Sequence, residues 1–417
     1  MRLWDFLKER MEKYKNKIAF PQLHLRYSDI LSFDSTLQNK KIVLCDKKSR
    51  SEQAVEILKN IACSNIIVPI ANEYGENYKK NIVNTIKVES EKSLEDLAFI
   101  VFTSGTTGIP KGVMLTDENI ISNLSNMYSY LDISEIQNIC IARPLAHVAV
   151  LICELLYALC NGLSVWFFEE SFMPQRVLSF LKKNKIELFC GTPTLYQALS
   201  LVYDQTELDL KIGVVSGERL TDKTGEEIIR SFNKVKFYNA YGLTEHSPRI
   251  SVLSPQDFER KLGSVGKIIN NIEFKVEDEE LIVRSKSVMK GYYLDDKATF
   301  EKIKNGWLHT GDKVHFDEEG YLFIDGRKDN MIIKSGINIY PEEIEDLLVT
   351  NKLVSDCVVY STEGRLGACI CLDYIGDIDK NSIRKFLISN LNPNIVPQKI
   401  NRVGKILVSS NGKKIRC

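Results

Sequence analysis

Residues 102–112 read FTSGTTGIPKG, a composition suited to holding an anion. Thr103, Ser104, Thr106 and Thr107 carry hydroxyl donors, Gly105 lets the backbone approach a ligand closely, and Lys111 adds a positive charge. The run follows an apolar, strand-like stretch at residues 97–102, and a turn of this kind at a strand end can aim N–H groups at phosphate. It is not a Walker A loop, in which Gly-Lys is followed by Ser or Thr; here Lys111 lies between Pro110 and Gly112. By composition alone, a flexible surface turn fits as well as a phosphate loop.

The elements that must position this loop follow an α/β pattern, short apolar runs alternating with amphipathic ones. Strands are predicted at residues 42–45, 65–70, 98–103, 188–191 and 212–216, and helices at 53–61, 118–130, 175–184 and 223–232. From Gly263 onward the chain becomes strand-rich, with strands expected at 280–284 and 321–324 and an acidic helix at 341–348. Residues 145–168 are long and apolar, but His147, Glu154 and the pair Asn161-Gly162 argue against a membrane span. A buried helix at 148–159, capped at Asn161-Gly162 and followed by a strand at 163–168, accounts for them better. The fold class is therefore α/β: a large N-terminal domain of mixed sheets with flanking helices, 1–326, and a small α+β C-terminal domain, 327–417.

The chain of 417 residues balances 55 Lys+Arg against 55 Asp+Glu, so no global field recruits nucleic acid or an anionic membrane, and a small ligand at a local site is expected. Ten cysteines without a CxxC pair point to reduced thiols rather than to a zinc or redox site. The charged N-terminus lacks an apolar signal core, which favours a cytoplasmic protein with no stable membrane insertion.

The loop TSGTTGIPKG resembles the phosphate-loop signature of the adenylate-forming superfamily: acyl-CoA synthetases, aryl-acid ligases, peptide-synthetase adenylation domains and firefly-type luciferases. Further segments resemble that family in the same order. They are YNAYGLTE at 238–245, WLHTGD at 307–312, GRKD at 326–329 running into SGINIYPEEIE at 335–345, and NGKKIR at 411–416. The resemblance implies that Thr103, Ser104, Gly105, Thr106, Thr107 and Lys111 hold the β- and γ-phosphates of ATP, that Glu245 helps hold Mg²⁺, and that Thr244 meets the α-phosphate. It further implies nucleotide contacts for Gly217, Glu218, Asn239, Tyr241 and Gly242, with Tyr241 offering a face to adenine, and ribose contacts for Asp312 and Arg327. Asp329 falls at the family's hinge and Gly336 at its pantetheine tunnel. Lys413 matches the closing lysine that bridges carboxylate and α-phosphate, where a compact point charge suits developing negative charge. Read without the family, each of these residues is an ordinary turn, packing or surface residue.

The implied reaction joins a carboxylic acid to a thiol through an acyl-adenylate, with CoA or a phosphopantetheine carrier protein as acceptor. Amino-acid-activating relatives carry an aspartate for the substrate ammonium. The corresponding place here, Arg143-Pro-Leu-Ala-His147-Val148, has none, which favours an acyl or aryl acid with His147 near its carboxylate. Ser216-Gly217-Glu218 points the other way, so an amino-acid-activating protein remains an alternative, as does a non-catalytic nucleotide binder. The stretch between the early strand and the phosphate loop is shorter than in relatives, so a shortened N-terminal region before residue 98 is expected.

Overall fold

The computed structural model describes the chain except at residues 36–39, 75, 88–93, 104–110, 206, 331, 335–336, 340, 365–366, 392–395, 409–413 and 417, and gives backbone alone at 77, 329, 333–334, 337–338, 363–364 and 367–368. The chain forms two compact units: Met1–Leu220 with Thr224–Lys275 and Ile282–His309, and Thr310–Cys417 with Thr221–Lys223 and Val276–Leu281.

The first unit holds two mixed sheets. In one, the strands run in the order Gly291–Tyr292, Lys111–Thr116, Leu97–Thr103, Ile66–Pro69, Ile42–Cys45, the last three parallel to one another and the first two antiparallel additions. In the other, the order is Lys267–Ile268, Arg249–Leu253, Lys236–Gly242, Ile212–Ser216, Leu188–Gly191, Asn138–Ile141, Ser164–Phe167. The five strands from Lys236–Gly242 to Ser164–Phe167 are parallel, and Arg249–Leu253 turns back antiparallel on Lys236–Gly242. Parallel strands buried on both faces need continuous apolar sequence, and Ile212–Ser216 and Leu188–Gly191 are buried at every position.

Between the sheets' strands, helix Asp117–Met127 starts on a capping box, in which the Thr116 hydroxyl accepts from Asn119 N at 3.1 Å and Asn119 Oδ1 accepts from Thr116 N at 2.9 Å. Its apolar residues Ile120, Leu124 and Met127 are buried, as their three- and four-residue spacing requires. The helix expected at 148–159 takes a different form. Ala149–Leu156 is π-helical and passes into an α-helical turn, Tyr157–Cys160, before Gly162 ends it with φ +69°. Seven of its eight π-helical residues are buried, Glu154 among them, and a π-helical run inside a helix is often found beside a functional site.

The second unit has a core of its own. Strands Asp356–Gly364 and Gly367–Ile375 pair antiparallel, with Lys399–Arg402 added parallel to the latter. Ile344 and Leu348 of helix Pro341–Thr350 and Ile383 and Leu387 of helix Lys380–Asn390 are buried in one cluster with Val359, Ile370 and Leu372. The expected strand at 321–324 is longer, Leu322–Arg327, and pairs antiparallel with Trp307–Phe316, bringing Asp312 opposite Arg327. Among the described residues no helix is long and apolar enough to cross a membrane, and nine free cysteines make no disulfide.

Candidate active site

Thr103 and Lys111 are register partners at the ends of the antiparallel strands Leu97–Thr103 and Lys111–Thr116. Ser104, Gly105, Thr106 and Thr107 lie outside the described residues. The Lys111 ammonium lies 5.3 Å from the centroid of the Tyr292 ring, a cation–π contact. The Tyr292 hydroxyl in turn donates to Glu245 Oε1 at 2.7 Å, and Met289 N donates to the Glu245 carbonyl at 2.9 Å. One tyrosine on the short edge strand Gly291–Tyr292 thus connects the lysine that closes the hydroxyl-rich run to the carboxylate of YGLTE.

The loop carrying Thr244 and Glu245 is held by close backbone packing. A Cβ on Gly242 would lie 1.9 Å from the Pro248 carbonyl oxygen, so only glycine lets the strand end meet the returning chain, where Leu243 N donates to that same oxygen at 2.9 Å. Thr244–His246 forms a 3-10 turn, and fully buried Asn123, from helix Asp117–Met127, donates to the carbonyls of His246 and Arg249, each at 3.2 Å. Gly242→Ala is expected to cost ~1–3 kcal/mol through overpacking and to displace Glu245. Urea unfolding of the variant beside wild type checks the first effect, and nucleotide affinity the second.

His246 fastens the same loop. Nδ1 donates to the Arg249 carbonyl at 3.0 Å, and Nε2 accepts from the Ser285 hydroxyl at 2.8 Å, which fixes a neutral tautomer. Burial pushes this imidazole down to about 4 from its ordinary 6.5. The unfolded chain therefore takes up the proton first as pH falls, so stability that is full above 6.5 is lost progressively toward 4. Between pH 7 and pH 5 this group alone is expected to remove about 2 kcal/mol. His246→Asn should flatten that part of the pH dependence of the urea midpoint; an unchanged slope would contradict it.

Asn239 is buried and donates to the Ser264 carbonyl at 2.8 Å, so its side chain joins backbone segments, whereas Tyr241 at the end of the same strand is half-exposed. Glu218 accepts from the N–H and hydroxyl of Thr194, at 3.2 and 2.6 Å, at the start of helix Pro193–Ser200, where an acid suits the helix N-terminus. Exposed Gly217 takes φ +96° between buried Ser216 and Glu218. His147 is half-buried at the head of the π-helical run, its carbonyl accepting from Leu151 N at 2.9 Å. Arg143 and Glu154 make a buried ion pair, Nη2 to Oε1 at 2.6 Å, and burial pushes the Glu154 carboxyl up against the pull of Arg143.

In the second unit, Asp312 is 2 % exposed, its Oδ1 3.2 Å from Arg327 Nε and its N–H donating to Thr310 Oγ1 at 3.1 Å. Gly311, at φ +78°, gives its N–H to Glu280 Oε1 at 2.8 Å. Asp329 lies in the 3-10 turn Lys328–Asn330, which follows directly on the strand ending at Arg327. Gly336 and Lys413 lie outside the described residues. The residues just after Lys413 are tightly held. Lys414 bonds Asp356 Oδ1 and the Cys357 carbonyl, each at 2.6 Å, and Arg416 clasps the carboxylates of Glu342 and Glu345 and the Val359 carbonyl.

A protein-family model described as AMP-binding enzyme matches residues 32–293. The chain belongs to that family. With it comes the adenylate-forming fold. The acyl-CoA ligase sidI of Aspergillus fumigatus is 31 % identical over 64 % of this chain and 48 % of its own length. A feruloyl-CoA synthase of Amycolatopsis is 29 % identical over 78 % of this chain and 69 % of its own. The chain thus spans about half the length of the fungal relative. Among solved structures, O-succinylbenzoate coenzyme A synthetase of Bacillus subtilis, in complex with ATP and magnesium ion, superposes with a TM-score of 0.84, covering 99 % of this chain and 98 % of that one at 21 % identity. That likeness establishes the fold.

Within this AMP-binding family member, sequence reasoning overlooked Tyr292, Asn123, His246 and Arg249. Asn123 and Tyr292 act through contacts 123 and 47 positions away along the chain, and no local spacing announces such partners. His246 and Arg249 had a signal, since both lie within four residues of the end of YGLTE, but a histidine and an arginine beside a loop are commonly solvated.

Proposed function

We propose that this chain is an ATP-dependent acid–thiol ligase. What carries this reading is the Lys111–Tyr292–Glu245 contact, which joins a cation suited to the β- and γ-phosphates to a carboxylate suited to their metal. The donor set fits Mg²⁺. Glu245 is a single half-exposed carboxylate, and among the described residues no group of three or more His, Cys, Asp and Glu could cage an ion. Mg²⁺ commonly binds through one or two carboxylates together with substrate phosphates. When bound, it would neutralise phosphate charge.

In the proposed first half-reaction, a carboxylate oxygen of the substrate attacks the α-phosphorus of ATP. A C–O–P bond forms, the bridging α–β P–O bond breaks, and pyrophosphate leaves. Lys111 with Thr103, Ser104, Thr106 and Thr107 holds the departing phosphates, Thr244 donates to the α-phosphate, His147 orients the acid, and Lys413 stabilises the charge shared by carboxylate and α-phosphate. Tyr241 and Gly242 border the adenine, and Asp312, supported by Arg327, accepts from the ribose hydroxyls. In the second half-reaction, a pantetheine thiol attacks the acyl carbon, AMP leaves and the thiol proton is released. Residues 327–417 rotate about Asp329 between the two, and Gly336 lines the thiol path.

The acid is read as one without an α-amino group, because the segment Arg143-Pro-Leu-Ala-His147-Val148 holds no carboxylate to pair with an ammonium. The relatives' names, acyl-CoA ligase and feruloyl-CoA synthase, support CoA as acceptor, a carrier protein being the second possibility; the compartment is read as cytoplasmic. The test is acid-dependent ATP–pyrophosphate exchange with fatty, aryl and amino acids. Exchange with a non-amino acid supports the reading. Exchange restricted to amino acids overturns the substrate class, and silence from folded protein that binds ATP overturns the ligase assignment.

A further inference from the structure

Buried polar atoms lacking a hydrogen bond are uncommon in native proteins, and each one asks what satisfies it. In the first unit, several fall within one contiguous group. Arg143 Nε, Glu154 Oε2, Ser216 Oγ and the Tyr130 hydroxyl are buried without a hydrogen-bond partner. Arg143 bonds Glu154 and reaches the Ser216 carbonyl at 3.5 Å. Arg249 completes the group. It is 4 % exposed and lies within electrostatic reach of Glu154, Cys153, Cys190 and Tyr130. Among the described residues no carboxylate closes an ion pair with its guanidinium. The charges around it do not cancel: two guanidinium groups share one carboxylate.

The place of this group in the fold matters as much as its chemistry. Arg143 follows the strand Asn138–Ile141, and Ser216 ends Ile212–Ser216. Arg249 opens the strand that pairs with Lys236–Gly242, opposite Gly242 in the register. All three stand at the carboxyl ends of the parallel strands, where open α/β sheets bind ligands. The same end carries His147 on one side and Thr244 and Glu245, a few residues before Arg249, on the other. An enzyme that accepted a purely apolar chain here would leave a buried guanidinium with only a share in the Glu154 carboxylate, at a cost that a well-packed leucine or methionine would avoid.

Resting on the ligase reading above, we infer that the acid this enzyme activates carries a second carboxylate at its far end, which is received by Arg249 and hydrogen-bonded by the Tyr130 hydroxyl. The buried excess of positive charge then selects diacids over monoacids of equal length, while the apolar side chains of the π-helical run pack along the methylene or aryl part between the two carboxylates.

The experiment measures kcat/KM for acid-dependent ATP–pyrophosphate exchange, using the full chain with glutarate, adipate, suberate and isophthalate. Monomethyl adipate, hexanoate, octanoate and benzoate are run beside them. Wild type is expected to favour the best diacid over the best monoacid by roughly 10-fold or more. Arg249→Met should lower the diacid value roughly 30-fold or more, mainly through KM, because one partner of a desolvated charge pair is gone, and should leave the monoacids within a few-fold. Arg249→Lys should restore part of the preference. If Arg249→Met does not fold, as judged by its thermal transition, the wild-type preference and the Arg249→Lys profile decide. A wild type that prefers monoacids, or an Arg249→Met variant that loses both classes alike, overturns the inference and leaves the ligase reading standing. Silence with every acid overturns the ligase reading, and the inference falls with it.

Discussion

Lys413→Ala will lower acid-dependent ATP–pyrophosphate exchange by about 10²- to 10³-fold, the loss usual when one group stabilising transition-state charge is removed. Thiol transfer from chemically prepared acyl-adenylate should stay within a few-fold of wild type, because the proposed rotation about Asp329 withdraws this lysine before the second half-reaction. Lys413→Arg should rescue little: a planar fork does not reproduce a compact ammonium. Equal losses in both half-reactions would contradict the division of labour and point to general unfolding of the C-terminal segment.

Arg416→Met is expected to destabilise the second unit by about 3 kcal/mol, because it leaves a buried carboxylate without its cation. Glu345 is 7 % exposed, and burial pushes its carboxyl up against the pull of Arg416. Without Arg416, only Val359 N, donating to Glu345 Oε1 at 2.6 Å, and the charge of Lys414 remain to it. Glu345→Gln in the Arg416→Met background should recover part of the loss, since an amide needs no counter-charge. The same substitution frees the chain just beyond Lys413, so exchange should fall even at temperatures where the variant is folded. Chemical unfolding followed by far-ultraviolet circular dichroism measures the first effect, and exchange kinetics at low temperature the second. A variant as stable as wild type would show that Arg416 is solvated in solution.

The strands and helices were largely legible because burial on both faces of a parallel strand demands an unbroken apolar run. Ile212–Ser216 and Leu188–Gly191 lie where those runs fall. The π-helical geometry of Ala149–Leu156 was not legible, since a run that is apolar all round carries no periodicity to separate one helical form from another. The ordered short motifs picked out the candidate residues as a set. Their individual settings were not legible: Asn239 and Glu218, both expected at the nucleotide, have side chains bonded to Ser264 and Thr194.

By itself, the sequence determined the fold class and the family, because apolar periodicity and ordered short motifs are local properties of the chain. Only the tertiary structure decided that Tyr292 connects Lys111 with Glu245, that Asn123 and His246 fasten the loop carrying Glu245, and that Arg143, Glu154 and Arg249 share one buried place. The physical reason is common to all of these. A side chain's charge is written in the sequence, but whether water or protein surrounds that charge depends on how segments separated along the chain pack together, and that surrounding sets what the charge can bind.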